Sequence, residues 1–573
     1  MEQRHTLAVT QYSQSLRARY EQQVPFSSVA SISSASSGSL QRGSVKDGND
    51  RSSTSNKPPA LTNIIGIDPN RGTARVEPNV SFGELINATL KFQLIPHFVS
   101  RFPHTTVGAA FTTTSVESSC FKTGFFHHNV LSIEVVLQNG EVRRASSREN
   151  AEIFNGMINT RSTLGTLTLL EIRLLPTAPF VELSYLPIAS AQGATTLLSS
   201  VVHEPFDYAD ALLFSPTRGV VIVGRRTTNR NVYPIRRLLR PSDPLFHKHA
   251  ESCLNKALKS REGMTELIPL PDYLFRFSPS IFWLSQTASD SSSSSFSSSL
   301  FSRAVADPAL RQRRAHEIIA TGGLAQRIIA QEVAVPLLAD EAAVKLLSYI
   351  DANLAIYPLY LCPARDDSTA PFHTWKRASS WPLQTRQMLL SVSVFGLPGP
   401  KTRLGIINNN SGSEYSEAFV DANRALEQKV RELGGQKWWA GVVFSSEEEF
   451  WAGLEGTEGG GREGYAGLRA RCGAEGLNGL WEVVRMREGT RAVGGRDSGG
   501  LSGRVSVKSG RMSSTSRRPS VSSEMVLPAK ESNPSSSPTI SSSTSGSGKS
   551  IGLPTGKTSR TASIRSAFKR TTV

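Results

Sequence analysis

Apolar residues recur at helical spacing from the start of the chain. Val9, Tyr12, Leu16 and Tyr20, with Arg17, Arg19 and Glu21 among them, predict an amphipathic helix ending before Pro25, followed by a short strand at Val24 to Phe26. The pattern then stops. From Ser27 to Pro59 the residues are mostly Ser, Gly, Asn and Lys, a composition that cannot offset its ordering entropy, so disorder is expected. Order returns at Asn63 to Asp68 and Thr73 to Pro78, two β-rich runs around Pro69-Asn-Arg-Gly72 that read as a hairpin. Ser81 and Glu84 have capping-box spacing, and Leu85, Leu90 and Phe92 supply the apolar side of the helix they open. A Thr/Gly/Ala-rich loop runs from Thr105 to Ser119. Strands are expected at Leu131 to Leu137 and Glu141 to Ala145, turned at Gln138-Asn-Gly140, and a buried strand within Thr163 to Leu175. The pattern is α+β, without a βαβ series.

A second unit begins near Ala178. Strands are expected at Val181 to Pro187, Gly219 to Gly224, Ala355 to Leu361 and Leu389 to Phe395, with a helical pattern from Glu317 to Glu332 broken at Gly322-Gly323. The helix Val420 to Leu433 stops at Gly434-Gly435, a C-terminal glycine signal. The expected organisation is a helix and first strand at 1–26, a low-complexity insert at 27–60, and a first domain at 61–178. A second domain follows at 179–484, with a Ser-rich loop at 289–299, and then a disordered Ser-rich tail at 485–573.

Charge locates one property of the tail. The net charge is +16 over 573 residues, and from Arg485 onward 16 Lys and Arg face 4 Asp and Glu, 16 − 4 = +12. The folded body is therefore close to neutral, which argues against nucleic-acid binding, whereas the basic tail can make peripheral contact with an anionic membrane. Arg517-Arg518-Pro519-Ser520 in that tail suits a basic-directed kinase, and phosphate there would weaken such a contact. Cys120, Cys253, Cys362 and Cys472 are widely spaced with no C-x-x-C pair, so neither a disulfide framework nor a metal site is expected. No signal peptide and no transmembrane helix are read, and the expected location is cytoplasmic or the cytoplasmic face of an internal membrane such as the endoplasmic reticulum.

Several short motifs, in order, carry a resemblance. Arg75-Val-Glu-Pro-Asn79, Thr106-Val-Gly108, Glu117-Ser-Ser119, Gly124-Phe-Phe126, Glu134 to Gly140 and Thr163-Leu-Gly165 are similar to the FAD-binding PCMH-type domain of the vanillyl-alcohol-oxidase superfamily. With Ser280-Ile-Phe-Trp283, Gln331 to Pro336, Ile356 to Pro363, Asn423 to Glu427 and Glu448-Glu-Phe-Trp451, the chain resembles, more narrowly, the Δ24-sterol reductase family. The resemblance covers residues 9 to 26 and 61 to 484. It implies a two-domain α+β fold: an FAD-binding domain and a C-terminal α+β cap or substrate domain. It also implies FAD as cofactor, NADPH as hydride donor and reduction of a double bond in the side chain of a sterol-like or other lipophilic substrate, with no metal. Carried over by motif, Gly108, Thr114, Ser115, Glu117, Ser118, Ser119, Leu164 and Gly165 are the expected flavin contacts. Tyr357 is the expected catalytic proton donor, with Tyr273 and Glu447 to Glu449 as other candidates.

The sequence departs from the family in the phosphate loops. Ala109, Ala110, Thr113 and Val116 stand where further glycines are expected, and β-branched residues at positive φ would be strained. Ser162 replaces a glycine before Thr163-Leu-Gly165, Pro279 replaces an arginine, Ala440 replaces a tyrosine, and Ser36-Ser-Gly38-Ser39 is the nearest echo of the first phosphate loop. A second reading is therefore a degenerate flavoprotein that has lost FAD and acts as a lipid-binding or regulatory protein. A third is an oxidase of the same fold acting on a polar alcohol, distinguished by hydrogen peroxide production. His127-His128, taken as adjacent strand residues pointing to opposite faces, reads as surface.

Overall fold

The computed structural model describes residues 1–21, 58–240, 242–260, 263–280, 328–339, 341–367, 370–373, 387–399, 417–439, 441–455 and 459–485, all within one compact unit, Met1–Ala492. The strand expected at Val24 to Phe26, nearly all of the tract 27–59, the Ser-rich loop 289–299, Ala440 and the tail from Arg487 onward lie outside the described residues.

The N-terminal helix α1 (Glu2–Glu21) buries Val9, Tyr12 and Leu16 against Val136, while Tyr20, the fourth apolar position of the stripe, is exposed. His5 anchors the helix between Glu77 at 2.8 Å and Glu134 at 3.1 Å. The expected hairpin is β1 (Ile64–Asp68) and β2 (Thr73–Val76), and the capping box of Ser81 and Glu84 opens α2 (Phe82–Thr89). Then come β3 (Leu94–Pro96), α3 (Val107–Thr112), α4 (Cys120–Thr123), β4 (Val130–Val136), β5 (Val142–Ala145) and α5 (Ala151–Met157). The strand β6 (Thr166–Pro176) is central to a six-stranded antiparallel sheet of order β1-β2-β6-β4-β5, with β3 also paired to β6.

The second sheet has eight antiparallel strands in the order β10-β7-β9-β8-β12-β13-β11-β14. Their ranges are β7 (Phe180–Ile188), β8 (Tyr208–Ser215), β9 (Arg218–Thr227), β10 (Met264–Pro269), β11 (Ile329–Pro336), β12 (Leu359–Arg365), β13 (Met388–Gly396) and β14 (Gln436–Lys437). One face shares a core with the first sheet, in which Val76, Leu170, Leu183, Tyr185, Leu212 and Trp438 belong to a single cluster. The other face packs on α6 (Ala191–Val201) and the helices Ala342–Asn353 and Glu417–Glu432 in a second cluster. Burial on both faces explains why Tyr208 to Leu213 reads as a continuous buried run and not as an alternation. Two further helices complete the elements used below, α7 (Phe246–Ser260) and α8 (Leu270–Leu274).

Expected elements are corrected at three places: the loop Thr105 to Ser119 contains the helix α3, the strand expected at Ala355 to Leu361 begins only at Leu359, and a third changes type. The described end of the helical pattern Glu317 to Glu332 is strand, because Gln331 to Pro336 pair with Val394 to Leu389 of β13; long-range pairing overrides the local periodicity. Among the described residues no helix is long and apolar enough to cross a membrane.

Candidate functional site

Thr106 caps α3 by accepting the Ala109 N–H at 3.3 Å, which sets the first turn of the expected cofactor loop. Gly108 in that turn donates its N–H to the Pro78 carbonyl at 2.8 Å, and a Cβ on it would stand 2.6 Å from Pro78 Cβ. Glycine is required here so that two segments of this chain can approach, and its amide is already used. Gly165 is similar: a Cβ would lie 3.0 Å from Val135 Cγ2 and from the Val136 carbonyl, and Leu164 beside it is fully buried in the shared core. The structure thus gives Gly108, Leu164 and Gly165 packing roles.

The strain expected at Thr113 and Val116 is absent. Thr113 is extended at φ −129°, ψ 159°, and neither residue has positive φ. The left-handed residues lie instead in the adjoining segment, at Asn159 (φ 60°), Arg161 (φ 51°) and Ser162 (φ 59°), so the replaced glycine that matters conformationally is the one at Ser162. Loops 113–116 and 159–163 are closed over by the second sheet's side of the molecule. Thr114 Oγ meets His373 Nδ1 at 2.9 Å, Asn159 Nδ2 donates to the Phe372 carbonyl at 2.9 Å, and Tyr465 Oη donates to Thr163 Oγ at 2.7 Å.

Between these contacts the loop keeps free donors. The N–H groups of Thr114, Ser115 and Val116 make no hydrogen bond among the described residues, and the buried Ser115 Oγ has no partner. Successive unsatisfied donors are what a phosphate or flavin carbonyl oxygen accepts from, so this stretch fits FAD where Gly108 does not.

Past Val116 the loop turns into a cleft of about 620 Å³. Glu117 and Ser119 line it, with apolar walls from Ile95, Val99, Leu175 and Leu274. The Glu117 carboxylate accepts the Ser119 N–H at 2.9 Å and the Ser119 hydroxyl, yet burial outweighs those bonds and raises it to about 7. Ser118 points elsewhere, its Oγ 3.0 Å from Tyr273 Oη and 3.3 Å from Arg276 Nη2. At the rim, burial opposes the ionisation of Asp207, but hydrogen bonds from Arg226 and Lys122 prevail and lower it to about 2. Arg173 at the same rim is exposed and has no ion pair among the described residues.

Tyr357 does not reach this place. It precedes β12, donates its hydroxyl to Asp351 at 2.9 Å, and packs on the second core cluster, away from the cleft-lining residues. Burial and the Asp351 carboxylate push its phenol up. Tyr273 is buried beneath Arg276, and Glu447 to Glu449 form the first turn of helix Glu447–Leu454, where Ser446 and Glu449 make a capping box. His127 and His128 are also corrected. They lie in a 3-10 turn at Phe126–Asn129, where their rings come within 4.3 Å, and His127 is buried against His373 at 4.5 Å. Burial and the neighbouring imidazoles hold His127 neutral.

Among the described residues, three buried pairs of Arg or Lys with a carboxylate escaped the sequence reading. Arg276 binds Asp210 at 2.5 Å, Lys437 binds Glu427 at 2.7 Å, and Arg101 binds Glu332. Their signal was a lone charge inside an apolar run, Asp210 in Tyr208 to Phe214 and Glu332 in Ile329 to Pro336, which in a buried strand demands a partner. Arg276 also supplies a buried cation near Pro279, the position where an arginine was missed.

Residues 13–146 match the family model described as FAD binding domain, a range that takes in the C-terminal part of α1, the hairpin and the whole loop 105–119. The described body is thus a mixed helix-and-sheet fold that carries an FAD-binding domain of the vanillyl-alcohol-oxidase type. Its relatives carry narrower names. It is 26% identical over 416 residues to the Delta(24)-sterol reductase of Pisum sativum, covering 66% of this chain and 70% of that protein. It is 25% identical over 419 residues to the Delta(24)-sterol reductase of Homo sapiens, covering 72% and 74%. A shorter match, 28% over 193 residues, links it to cytokinin dehydrogenase 9 of Oryza sativa, covering 31% and 35%.

Proposed function

We propose that the chain is an FAD-dependent reductase of a lipophilic alkene, a sterol side chain being the substrate its relatives' names suggest, with NADPH as the hydride donor. The observation that carries this reading is the cleft, where Glu117 and Ser119, which follow the free donors of residues 114–116 along the loop, meet the apolar side chains of Ile95, Val99, Leu175 and Leu274 within a lining that is otherwise mostly polar. When bound, FAD supplies the two-electron redox chemistry. Thr114, Ser115 and Val116 hold and orient it through their N–H groups and the Ser115 hydroxyl. Ile95, Val99, Leu175 and Leu274 exclude water and take the hydrocarbon. Glu117, in place of Tyr357, holds a proton at its carboxyl in the neutral range and delivers it to the substrate carbon. Arg173 and the rim of Lys122 and Arg226 suit the phosphates of NADPH. The basic tail would bring the protein to an anionic, cytoplasm-facing membrane surface where such substrates partition.

A second reading, a protein that no longer binds FAD, draws on Gly108 and Gly165 being filled by the chain's own packing and on the Thr114–His373 contact. A visible absorption spectrum of the purified protein separates the two. Flavin bands that bleach anaerobically with NADPH and return on adding a side-chain-unsaturated sterol support the reductase. Colourless, folded protein that gains no thermal stability from added FAD supports the second reading.

A further inference from the structure

Away from the cleft, α7 and β10 bring three metal-ligand side chains to one buried point. His249 and Cys253 are four residues apart and so share a face of α7, which lies against the sheet where Glu266 of β10 and Tyr185 of β7 project. His249 Nε2 is 2.6 Å from Glu266 Oε1 and 3.5 Å from Cys253 Sγ, and the three ligand atoms lie within 4.8 Å of one another. Tyr185 Oη donates to Glu266 at 2.7 Å and is also within reach of the Cys253 thiol. His249, Cys253 and Glu266 are 5%, 0% and 2% exposed. The wide spacing of the cysteines concealed this, because the set holds one cysteine and its partners are a histidine on the same helix and a glutamate on a strand.

We propose that His249, Cys253 and Glu266 bind a divalent cation of the zinc class, with the Tyr185 hydroxyl lining the fourth corner. Donor chemistry comes first: one imidazole, one thiol and one carboxylate is a set that Zn²⁺ takes. Geometry agrees with it. Tetrahedral bonds of about 2.0 Å to nitrogen and about 2.3 Å to sulfur separate those two atoms by about 3.5 Å, the separation found. The imidazole and carboxylate must open from 2.6 Å to about 3.4 Å, a swing of the Glu266 carboxylate alone. Charge also balances. A thiolate and a carboxylate neutralise the ion, so the buried site carries no net charge when filled. The thiol proton, held on by burial that pushes Cys253 up to about 12, leaves to solvent as the Cys253–metal bond forms. An imidazole–carboxylate pair would by itself satisfy both groups; the thiol at 3.5 Å from the same nitrogen is the ligand that pair does not need. The ion would tie α7 to the edge of the second sheet. Phe246 of α7 packs edge-on against Phe277 and under Arg276, so the tie steadies the residue that holds Asp210 and Ser118.

The test uses the full chain and the metals alone, and does not depend on flavin. Protein grown with zinc should carry one zinc ion per chain by mass spectrometry. After chelation, Co²⁺ should produce a thiolate-to-cobalt band in the near ultraviolet, visible bands of four-coordinate cobalt and a rise in melting temperature. Cys253→Ser should remove the near-ultraviolet band and His249→Gln should weaken cobalt binding at least tenfold, whereas Cys120→Ser, at a buried cysteine elsewhere, should leave both unchanged. If Cys253→Ser does not fold, the cobalt spectrum and melting shift of the unaltered protein decide. Folded, unaltered protein with no zinc and no thiolate band overturns the proposal, as does a band that survives in folded Cys253→Ser.

Discussion

The two halves of the loop 105–119 look alike in composition and behave differently. In the first half every distinctive residue is satisfied within the chain: Gly108 by Pro78, Thr112 Oγ by the Gly108 carbonyl at 3.0 Å, Thr113 Oγ by the Ala109 carbonyl at 2.7 Å. In the second half the Ser115 hydroxyl has no partner among the described residues and Glu117 is held protonatable near neutrality. A motif glycine beside a helix is thus no measure of cofactor contact. What separates packing from chemistry is whether the donors are already used.

Substitutions can break that contrast or sharpen it. Gly108→Val should cost about 3 kcal/mol, since its side chain must enter space held by Pro78; chemical denaturation reads it, and a variant of undiminished stability that loses only flavin would return Gly108 to the cofactor. The pair Thr113→Gly with Val116→Gly should also destabilise, by about 3 kcal/mol, because Val116 is a core residue and neither position has positive φ. A gain in flavin content without loss of stability would reinstate the strain idea.

Glu117→Gln probes the second half. Its folded value lies above its unfolded one, 4.5 raised to about 7, so the stability it contributes is complete below pH 4.5 and is lost as pH rises through 7. A rise of about 2.5 units corresponds to about 3 kcal/mol. Denaturation midpoints of the unaltered protein and the Gln variant should therefore diverge between pH 4.5 and 7.5, the variant being relatively more stable at the higher pH. Turnover should fall with rising pH through about 7 in the unaltered protein and be low and flat in the variant. Ser115→Ala should lower FAD affinity about tenfold, the equivalent of one hydrogen bond, while leaving the melting temperature without FAD unchanged because the hydroxyl has no partner among the described residues. The smallest effect belongs to Ser162→Gly, which should stabilise by about 1 kcal/mol by relieving its left-handed backbone; an unchanged or lowered midpoint would show that the serine's own contacts matter more.

Much of the fold was legible because it is written locally. The Ser81–Glu84 capping box, the turn between Asp68 and Thr73 and the glycine stop at Gly434, whose φ is 69°, each depend on a few neighbouring residues and stand where they were expected. The site was legible only as a region. Motif order pointed to 106–119 and 163–165, but whether Gly108 meets a phosphate or Pro78, and whether Tyr357 faces the cleft or Asp351, depends on residues tens to hundreds of positions away or on the other face of a sheet.

The sequence by itself determined the α+β class, the hairpin and the capped start of α2, several of the buried strands and the neutral body with its basic tail, since periodicity, caps and charge act over one or two turns of chain. Only the tertiary structure decided which loop donors remain free, that Glu117 is buried enough to hold a proton near pH 7, that Arg276 reaches across to Asp210, and that His249, Cys253 and Glu266 meet. Those are properties of desolvation and of strand pairing between distant segments, and no local pattern encodes them.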